Sequence, residues 1–223
     1  MGNPNQLTFI RNRVHRLEGP FLEIGSRDYG STVDLRGLFV NHGDYVGVDL
    51  EPGKGVDTVL DLTRPFEEVD SVLQGRRFGT VFCLSVLEHC RRPFAMAENV
   101  TRLLRPGGSV CVSAPFAFKY HPFPGDYWRF THEGIRTVFP GLNFADADTV
   151  WYTPVPGEFH PVGTALGRID LRAKRLFRQG RPLLAILCGA ARTAGRLVGL
   201  HRLVEHAYVL APTDLIMLGT LAG

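Results

Sequence analysis

Five short apolar runs, each followed by a turn or a helical pattern, constrain the fold of this chain more than any other feature. They are "PFLEI" (20–24), "YVGVDL" (45–50), "VDTVLDLT" (56–63), "GTVFCLS" (79–85) and "SVCVSAP" (109–115). The segments between them carry helical spacing at Thr32 to Asn41, Phe66 to Leu73 and Phe94 to Leu104. In the last of these, Phe94, Ala97, Val100, Leu103 and Leu104 share one face, and "RPGG" (105–108) stops the helix with Pro and Gly. Strand and helix signals in alternation argue for an α/β fold on a central parallel sheet. The run 79–85 is apolar enough to be buried on both faces. In such sheets ligands sit beyond the carboxyl ends of the strands.

The remaining third is organised differently. Asp146 to Tyr152 and "DLIMLGTLA" (214–222) read as two further strands. Between them, 153–206 is expected to be a mainly helical insertion that caps the sheet. Its central part is basic, with Arg168, Arg172, Lys174, Arg175, Arg178 and Arg181 against Asp170. The longest apolar stretch, Pro182 to Leu200, is interrupted by Arg192 and Arg196. Two arginines are costly in lipid, so this stretch reads as a packed amphipathic helix and no membrane span is expected. The first 17 residues lack the apolar centre of a signal peptide and read as a short surface helix. The expectation is one domain over 1–223, large enough for a real core.

A net charge of only +3 gives no basic footprint for nucleic acid. Cys83, Cys90, Cys111 and Cys188 form no CxxC pair, and Cys83 and Cys111 lie inside strand runs. They read as reduced thiols of a cytoplasmic protein, and no spacing forces a metal, so none is expected.

The loop after the first strand, "GSRDYG" (25–30), holds the first functional signal. A dinucleotide fingerprint would need a glycine at position 27, where this chain has Arg27, and no Gly-Lys-Ser/Thr follows to make a P-loop. Glu23 sits at the end of the first strand, Asp49 at the end of the second and Asp61 near the end of the third. A carboxylate beside the loop repels a pyrophosphate but suits an amine or a cation. S-adenosylmethionine carries a sulfonium and an amino group and no phosphate. Asp49 is placed to accept hydrogen bonds from ribose hydroxyls, and Asp61 from an adenine amino group.

These residues carry a resemblance. The segments "LEIGSRDYG", "YVGVDLEPG", "VLDLTRPF", "VFCLSVLEHCRRPFAMAENVTRLLRPGG" and "VCVSAPF" resemble the class I S-adenosylmethionine-dependent methyltransferases, of the small-molecule type related to the ubiquinone and menaquinone biosynthesis enzymes. The resemblance implies a Rossmann-like sheet of seven strands, mostly parallel with an antiparallel last strand and helices on both faces. It implies that Glu23 and Gly25, with Ser26 and Tyr29, surround the methionine part of the cofactor. Asp49 and Leu50 fall at the ribose, Asp61 and Leu62 at the adenine, and Leu84, Ser85 and His89 beside the methyl group. The family usually shows GxGxG in the loop; here Arg27 and Tyr29 replace the second and third glycines.

Methyl transfer from a sulfonium depends on positioning the acceptor, and needs a base when a hydroxyl must lose its proton. His89 and His121 are the expected catalytic groups. The aromatic segment 116–134 follows the fifth strand and is expected to form the acceptor side, through Phe116, Tyr120, Asp126, Tyr127, Trp128 and Arg129. His160 is a further candidate from the loop after the sixth strand. The acceptor is read as a small molecule taking the methyl on oxygen, nitrogen or carbon. A cofactor-binding protein with a non-methylating role, such as cyclisation or scaffolding, is the alternative. Oligomeric state is open, a homodimer being one option.

Overall fold

The computed structural model describes residues 3–30, 34–163, 168–170, 172–198, 208–210 and 213–223. Contacts divide the chain into two compact units: 1–162 with 212–223, and 163–211. The first unit holds an eight-stranded sheet. In chain order its strands are β1 (Phe21–Ile24), β2 (Tyr45–Asp49), β3 (Thr58–Val59), β4 (Phe78–Leu84), β5 (Leu104–Pro115), β6 (Leu142–Tyr152), β7 (Phe159–Pro161) and β10 (Asp214–Leu221). The spatial order is β3-β2-β1-β4-β5-β10-β6-β7. Strands β1 to β5 are parallel, and β10 runs antiparallel to both of its neighbours. The expected seven strands become eight because Phe159–Pro161 adds a short antiparallel edge strand to β6.

Period-2 alternation sorts the side chains to the two faces of this sheet. Phe21 and Glu23 of β1 stand opposite Tyr45 and Gly47 of β2, and opposite Thr80 and Phe82 of β4. On that face Phe21, Phe82, Cys111 and Ile216 pack with Phe9 and Ile10 of α1 (Pro4–Arg11) and with Phe39. The other face buries Leu22, Val81 and Cys83. Helices α2 (Phe66–Val72), α3 (Pro93–Leu103) and α4 (His132–Val138) complete the first unit. Helix α3 buries Met96, Ala97, Val100 and Leu103; of the face its spacing predicts, Ala97, Val100 and Leu103 are buried, Leu104 is buried as the first residue of β5, and Phe94 is 57% exposed. Burial of each large side chain contributes roughly 1.5–3 kcal/mol.

Three local expectations are corrected. Helix α1 is not a surface helix: Asn5, Gln6, Phe9 and Ile10 are buried. Its sequence reads as polar because Asn5 and Gln6 are spent on distant backbone and hydroxyl groups. The spacing at 32–41 gives only a short 3-10 turn, Arg36–Phe39, with Phe39 as its core contact; residues 31–33 lie outside the described residues. Strand β5 begins before the turn-like "RPGG" rather than after it. Its pairing with β4 shifts register between Phe78 and Thr80, so the four residues bulge out of the ladder.

The second unit contains α5 (Ala173–Arg178), α6 (Pro182–Leu197) and an antiparallel pair, β8 (Arg168–Asp170) with β9 (Tyr208–Leu210). It covers much of the expected insertion 153–206. The side chains of Arg168, Asp170 and Arg196, and residues 199–207, lie outside the described residues. No described helix is long and apolar enough to cross a membrane.

Candidate active site

A cleft of about 640 Å³ opens at the carboxyl edge of β1, β2 and β4. Three of its walls follow from strand ends. The chain leaves β1 at Gly25, whose φ of +73° is one a side chain resists, and an added Cβ there would lie 2.7 Å from Val86. The loop is then tied back, with the amides of Gly25 and Ser26 donating to Val48 O and that of Asp28 to Lys54 O. Asp49, at the end of β2, accepts long hydrogen bonds from the amides of Arg27 and Glu51, both at 3.3 Å. Asp61 accepts from the Thr63 amide at 2.8 Å and its hydroxyl at 2.7 Å, both on Oδ1. The residue after β4, Ser85, is held at φ +54°, a left-handed conformation that costs a non-glycine residue roughly 1–3 kcal/mol. Gln6 of α1 holds it there: its amide donates to Ser85 Oγ (2.9 Å) and to Ser113 Oγ (3.0 Å).

Of the residues expected at the cofactor, Gly25, Tyr29, Asp49, Leu50, Asp61, Leu62 and Ser85 line this cleft. Glu23, Ser26 and Leu84 are not among the lining residues. Glu23 and Leu84 share the face of Phe21 and Phe82, so alternation turns them toward the α1 side of the sheet. Glu23 accepts a hydrogen bond from Tyr45 Oη at 2.9 Å, and burial raises its pKa. Ser26 is buried against Gly47. The expected set of three acids at one cleft is therefore reduced to Asp49 and Asp61. Arg27, whose charge could have met a phosphate, is paired with Glu51 and lies over the Tyr29 ring.

The acceptor side is built by zipping 121–128 onto the turn after β4. The amides of Tyr127 and Trp128 both donate to Glu88 O (2.7 and 3.3 Å), and Trp128 Nε1 donates to Cys90 O at 2.8 Å. Arg91 Nε donates to Tyr127 Oη at 2.8 Å. Asp126 accepts from the His121 amide and from both terminal nitrogens of Arg129. Arg129 also donates to the carbonyls of Phe118, Lys119 and Trp128. The guanidinium holds the Asp126 carboxyl well below the usual carboxylate range. Asp126, Trp128 and Arg129 thus build the loop, and among the expected acceptor residues only Tyr127 lines the cleft. Phe116 packs edge-on against Trp151, Tyr120 is 73% exposed, and His160 sits on β7, 3.4 Å from Glu158.

His89 lines the cleft, and His121 meets it edge-to-face at 4.9 Å between ring centroids. His89 Nδ1 lies 2.5 Å from Gly125 O. Burial lowers the pKa of His89 and pushes that of neighbouring Glu88 up to about 8. Phe123 reaches the cofactor loop, meeting Tyr29 edge-on at 5.1 Å, so the two halves of the cleft touch.

Sequence reasoning missed Arg27, Glu51, Thr63, Cys90, Met96 and Phe123 as lining residues. Glu51 and Thr63 each stand two residues after a strand-end acid, which is a readable signal. Met96 comes from the first turns of α3, on the face already assigned to the core.

The donor set suits a ligand rich in hydroxyl and amino hydrogens: two acceptor-only carboxylates beside Ile24, Leu62 and Met96. No family model matches the chain. A ubiquinone biosynthesis O-methyltransferase of Methylococcus capsulatus is 23% identical over 192 residues, covering 71% of this chain and 77% of that protein. One from Coxiella burnetii is 24% identical over 186 residues, covering 70% and 77%. Among solved structures, a SAM-dependent methyltransferase from Archaeoglobus fulgidus superposes with a TM-score of 0.54 at 14% identity, covering 96% and 92% of the two chains. The [4+2]-cyclase SpnF superposes with a TM-score of 0.53 at 12% identity, covering 98% and 81%. The solved structures share this fold, and the likeness to the two curated relatives supports a class I S-adenosylmethionine-dependent methyltransferase, with S-adenosylmethionine as its cofactor.

Proposed function

We propose that this enzyme methylates an oxygen of a small, hydroxyl-bearing biosynthetic molecule. The observation that carries the reading is the single cleft joining Asp49 and Asp61 at one end to His89 and Tyr127 at the other. S-adenosylmethionine supplies an activated methyl group, so the chain's own task is to hold donor and acceptor in line. Asp49 accepts the ribose hydroxyls, with Leu50 beside it. Asp61 and Leu62 receive the adenine, and Gly25, Tyr29 and Ser85 flank the methionine chain. Glu23, Ser26 and Leu84 act from behind, shaping the loop without touching the cofactor. His89 and His121 orient the acceptor hydroxyl, and Tyr127 with Phe123 walls it from water. The names of the two curated relatives, both O-methyltransferases, support oxygen as the methylated atom.

Calorimetry with S-adenosylhomocysteine tests the cofactor half. Asp49→Ala removes hydrogen bonds to a charged group, and binding weakens by about tenfold to a hundredfold (roughly 1.5–3 kcal/mol). Unchanged affinity rules out the ribose role. Labelled donor with a panel of hydroxylated acceptors tests the other half. Label in an ether product supports the reading, while a transformed acceptor without label overturns it in favour of a non-methylating reaction.

A further inference from the structure

We propose that the hydroxyl of Ser85, aimed by Gln6 of α1, is the neutral hydrogen-bond donor that receives the carboxylate of the cofactor's methionine chain. The proposal deepens the cofactor half of the proposed function and rests on it.

The first observation is that the loop after β1 has already committed its donors. A loop that binds an anion ordinarily offers it a row of backbone amides. Here those amides are turned to the protein. Gly25 and Ser26 donate to Val48 O at 2.8 and 3.1 Å, Arg27 to Asp49 Oδ2 at 3.3 Å, and Asp28 to Lys54 O at 2.8 Å. The Gly30 amide donates to Asp28 Oδ1 at 2.8 Å. The Arg27 guanidinium is paired with Glu51. Asp49 and Asp61 only accept. A methionine chain laid between Gly25 and Ser85 brings an ammonium group and a carboxylate. The carboxylate needs a donor from another element.

The second observation is the direction of the hydrogen bonds at Ser85. The Asn3 amide donates to Gln6 Oε1 at 2.9 Å. A backbone N–H only donates, so this bond fixes which end of the Gln6 side chain is oxygen. Its Nε2 therefore gives one hydrogen to Ser85 Oγ at 2.9 Å and the other to Ser113 Oγ at 3.0 Å. Ser113 Oγ is bound in turn to the buried Tyr152 Oη at 2.9 Å, which anchors the inner end of the chain. Ser85 Oγ is the acceptor in its pair, and its own hydrogen is left for another partner. No described residue accepts that hydrogen, and Ser85 lines the cleft. A hydroxyl in this state matches a group that only accepts. At the methionine end of the cofactor that group is the carboxylate, since an ammonium group has no lone pair.

The third observation is the backbone. Ser85 stands at φ +54°, and its amide donates to Ser113 O at 2.9 Å. Glycine would hold this conformation without strain, so the hydroxyl is what serine adds here. Gln6 escapes a sequence scan because it lies 79 residues before the hydroxyl that it aims.

The test measures two ligands by calorimetry on the full chain. They are S-adenosylhomocysteine and its decarboxylated analogue, which keeps the adenosine, the sulfur and the amine. Ser85→Gly removes the hydroxyl where the backbone suits glycine, and it is expected to fold as the wild type does. It is expected to weaken S-adenosylhomocysteine by about tenfold, as loss of a hydrogen bond to a charged group does, and to leave the analogue within about twofold of wild type. Gln6→Glu keeps an acceptor for the Asn3 amide but offers a second acceptor to Ser85, which turns the Ser85 hydrogen inward. The same selective loss is expected. Thermal unfolding is recorded for each variant. If Gln6→Glu does not fold, Gln6→Met takes its place, with the same length, no amide and a smaller loss confined to the same ligand. Equal losses on both ligands make Ser85 a structural residue and overturn the proposal, as does unchanged S-adenosylhomocysteine affinity in Ser85→Gly. A Gln6 variant that folds and binds both ligands as the wild type does overturns the aiming role. Failure of the wild type to bind either ligand strikes the cofactor reading itself, so the two failures are told apart by the wild type alone.

Discussion

Two segments face each other on the acceptor side, and they treat buried carboxylates in opposite ways. In residues 116–131, Asp126 is saturated: a guanidinium fork and a backbone amide satisfy both oxygens. In the turn 85–90, Glu88 is as deeply buried and leaves Oε2 without a partner among the described residues. Arginine draws the Asp126 carboxyl down, while burial drives Glu88 up to about 8. The difference separates two uses of polar residues. A saturated pair sets the shape of a loop, whereas the unsaturated carboxyl carries a desolvation cost that lifts its pKa.

The comparison can be broken most directly at Asp126. Asp126→Ala leaves Arg129 without its fork, and urea unfolding is expected to show a loss of about 3 kcal/mol, the lower end for a buried pair because Arg129 keeps some solvent. A loss below about 1 kcal/mol would mean the pair does not hold the loop.

A smaller effect is expected at a saturated carboxylate far from the cleft. Asp148 is paired with Arg13 at 3.0 Å and Arg16 at 2.7 Å, and these hold its pKa below the ordinary 3.8. A carboxylate with a depressed folded pKa contributes fully above the unfolded value, and its contribution disappears as pH falls through the folded one. Asp148→Asn should therefore cost about 1 kcal/mol at neutral pH, with the gap to wild type closing in acid. A gap that persists in acid would show that the bonds act without the charge.

The smallest effect belongs to the unsaturated group. Glu88→Gln exchanges an isosteric side chain and breaks no hydrogen bond at Oε2. Stability is expected to stay within about 0.5 kcal/mol of wild type by urea unfolding. A larger loss would place Glu88 among the loop-shaping residues, with Asp126.

The fold was legible because its signals are local. Apolar runs marked each parallel strand, and α3 announced itself by spacing. The errors arose where a partner distant in sequence decides the outcome. Asn5 and Gln6 look like surface residues until Thr153, Val155, Ser85 and Ser113 are beside them. Within the site, Asp49 and Asp61 could be read from position, because Asp49 closes β2 and Asp61 stands two residues beyond β3, where the chain passes over the carboxyl edge. Glu23 could not be read that way, since it lies inside β1 and parity decides its face. Its companion Phe21, set beside Phe82, carried that information. Trp128 and Arg129 have the composition of a pocket but serve as struts, a distinction that composition cannot express.

Helix α1 has one last consequence. Asn5 donates to Thr153 O and Val155 O and accepts from the Gly157 amide, while Gln6 pins the strained residue after β4. The earliest turn of the chain is thereby the keystone for elements synthesised long after it. A polypeptide emerging stepwise can assemble β1 to β4 and still lack a finished cleft until β6 arrives to fasten that turn. Trimming the amino terminus, usually a harmless edit, would here loosen the floor of the catalytic edge.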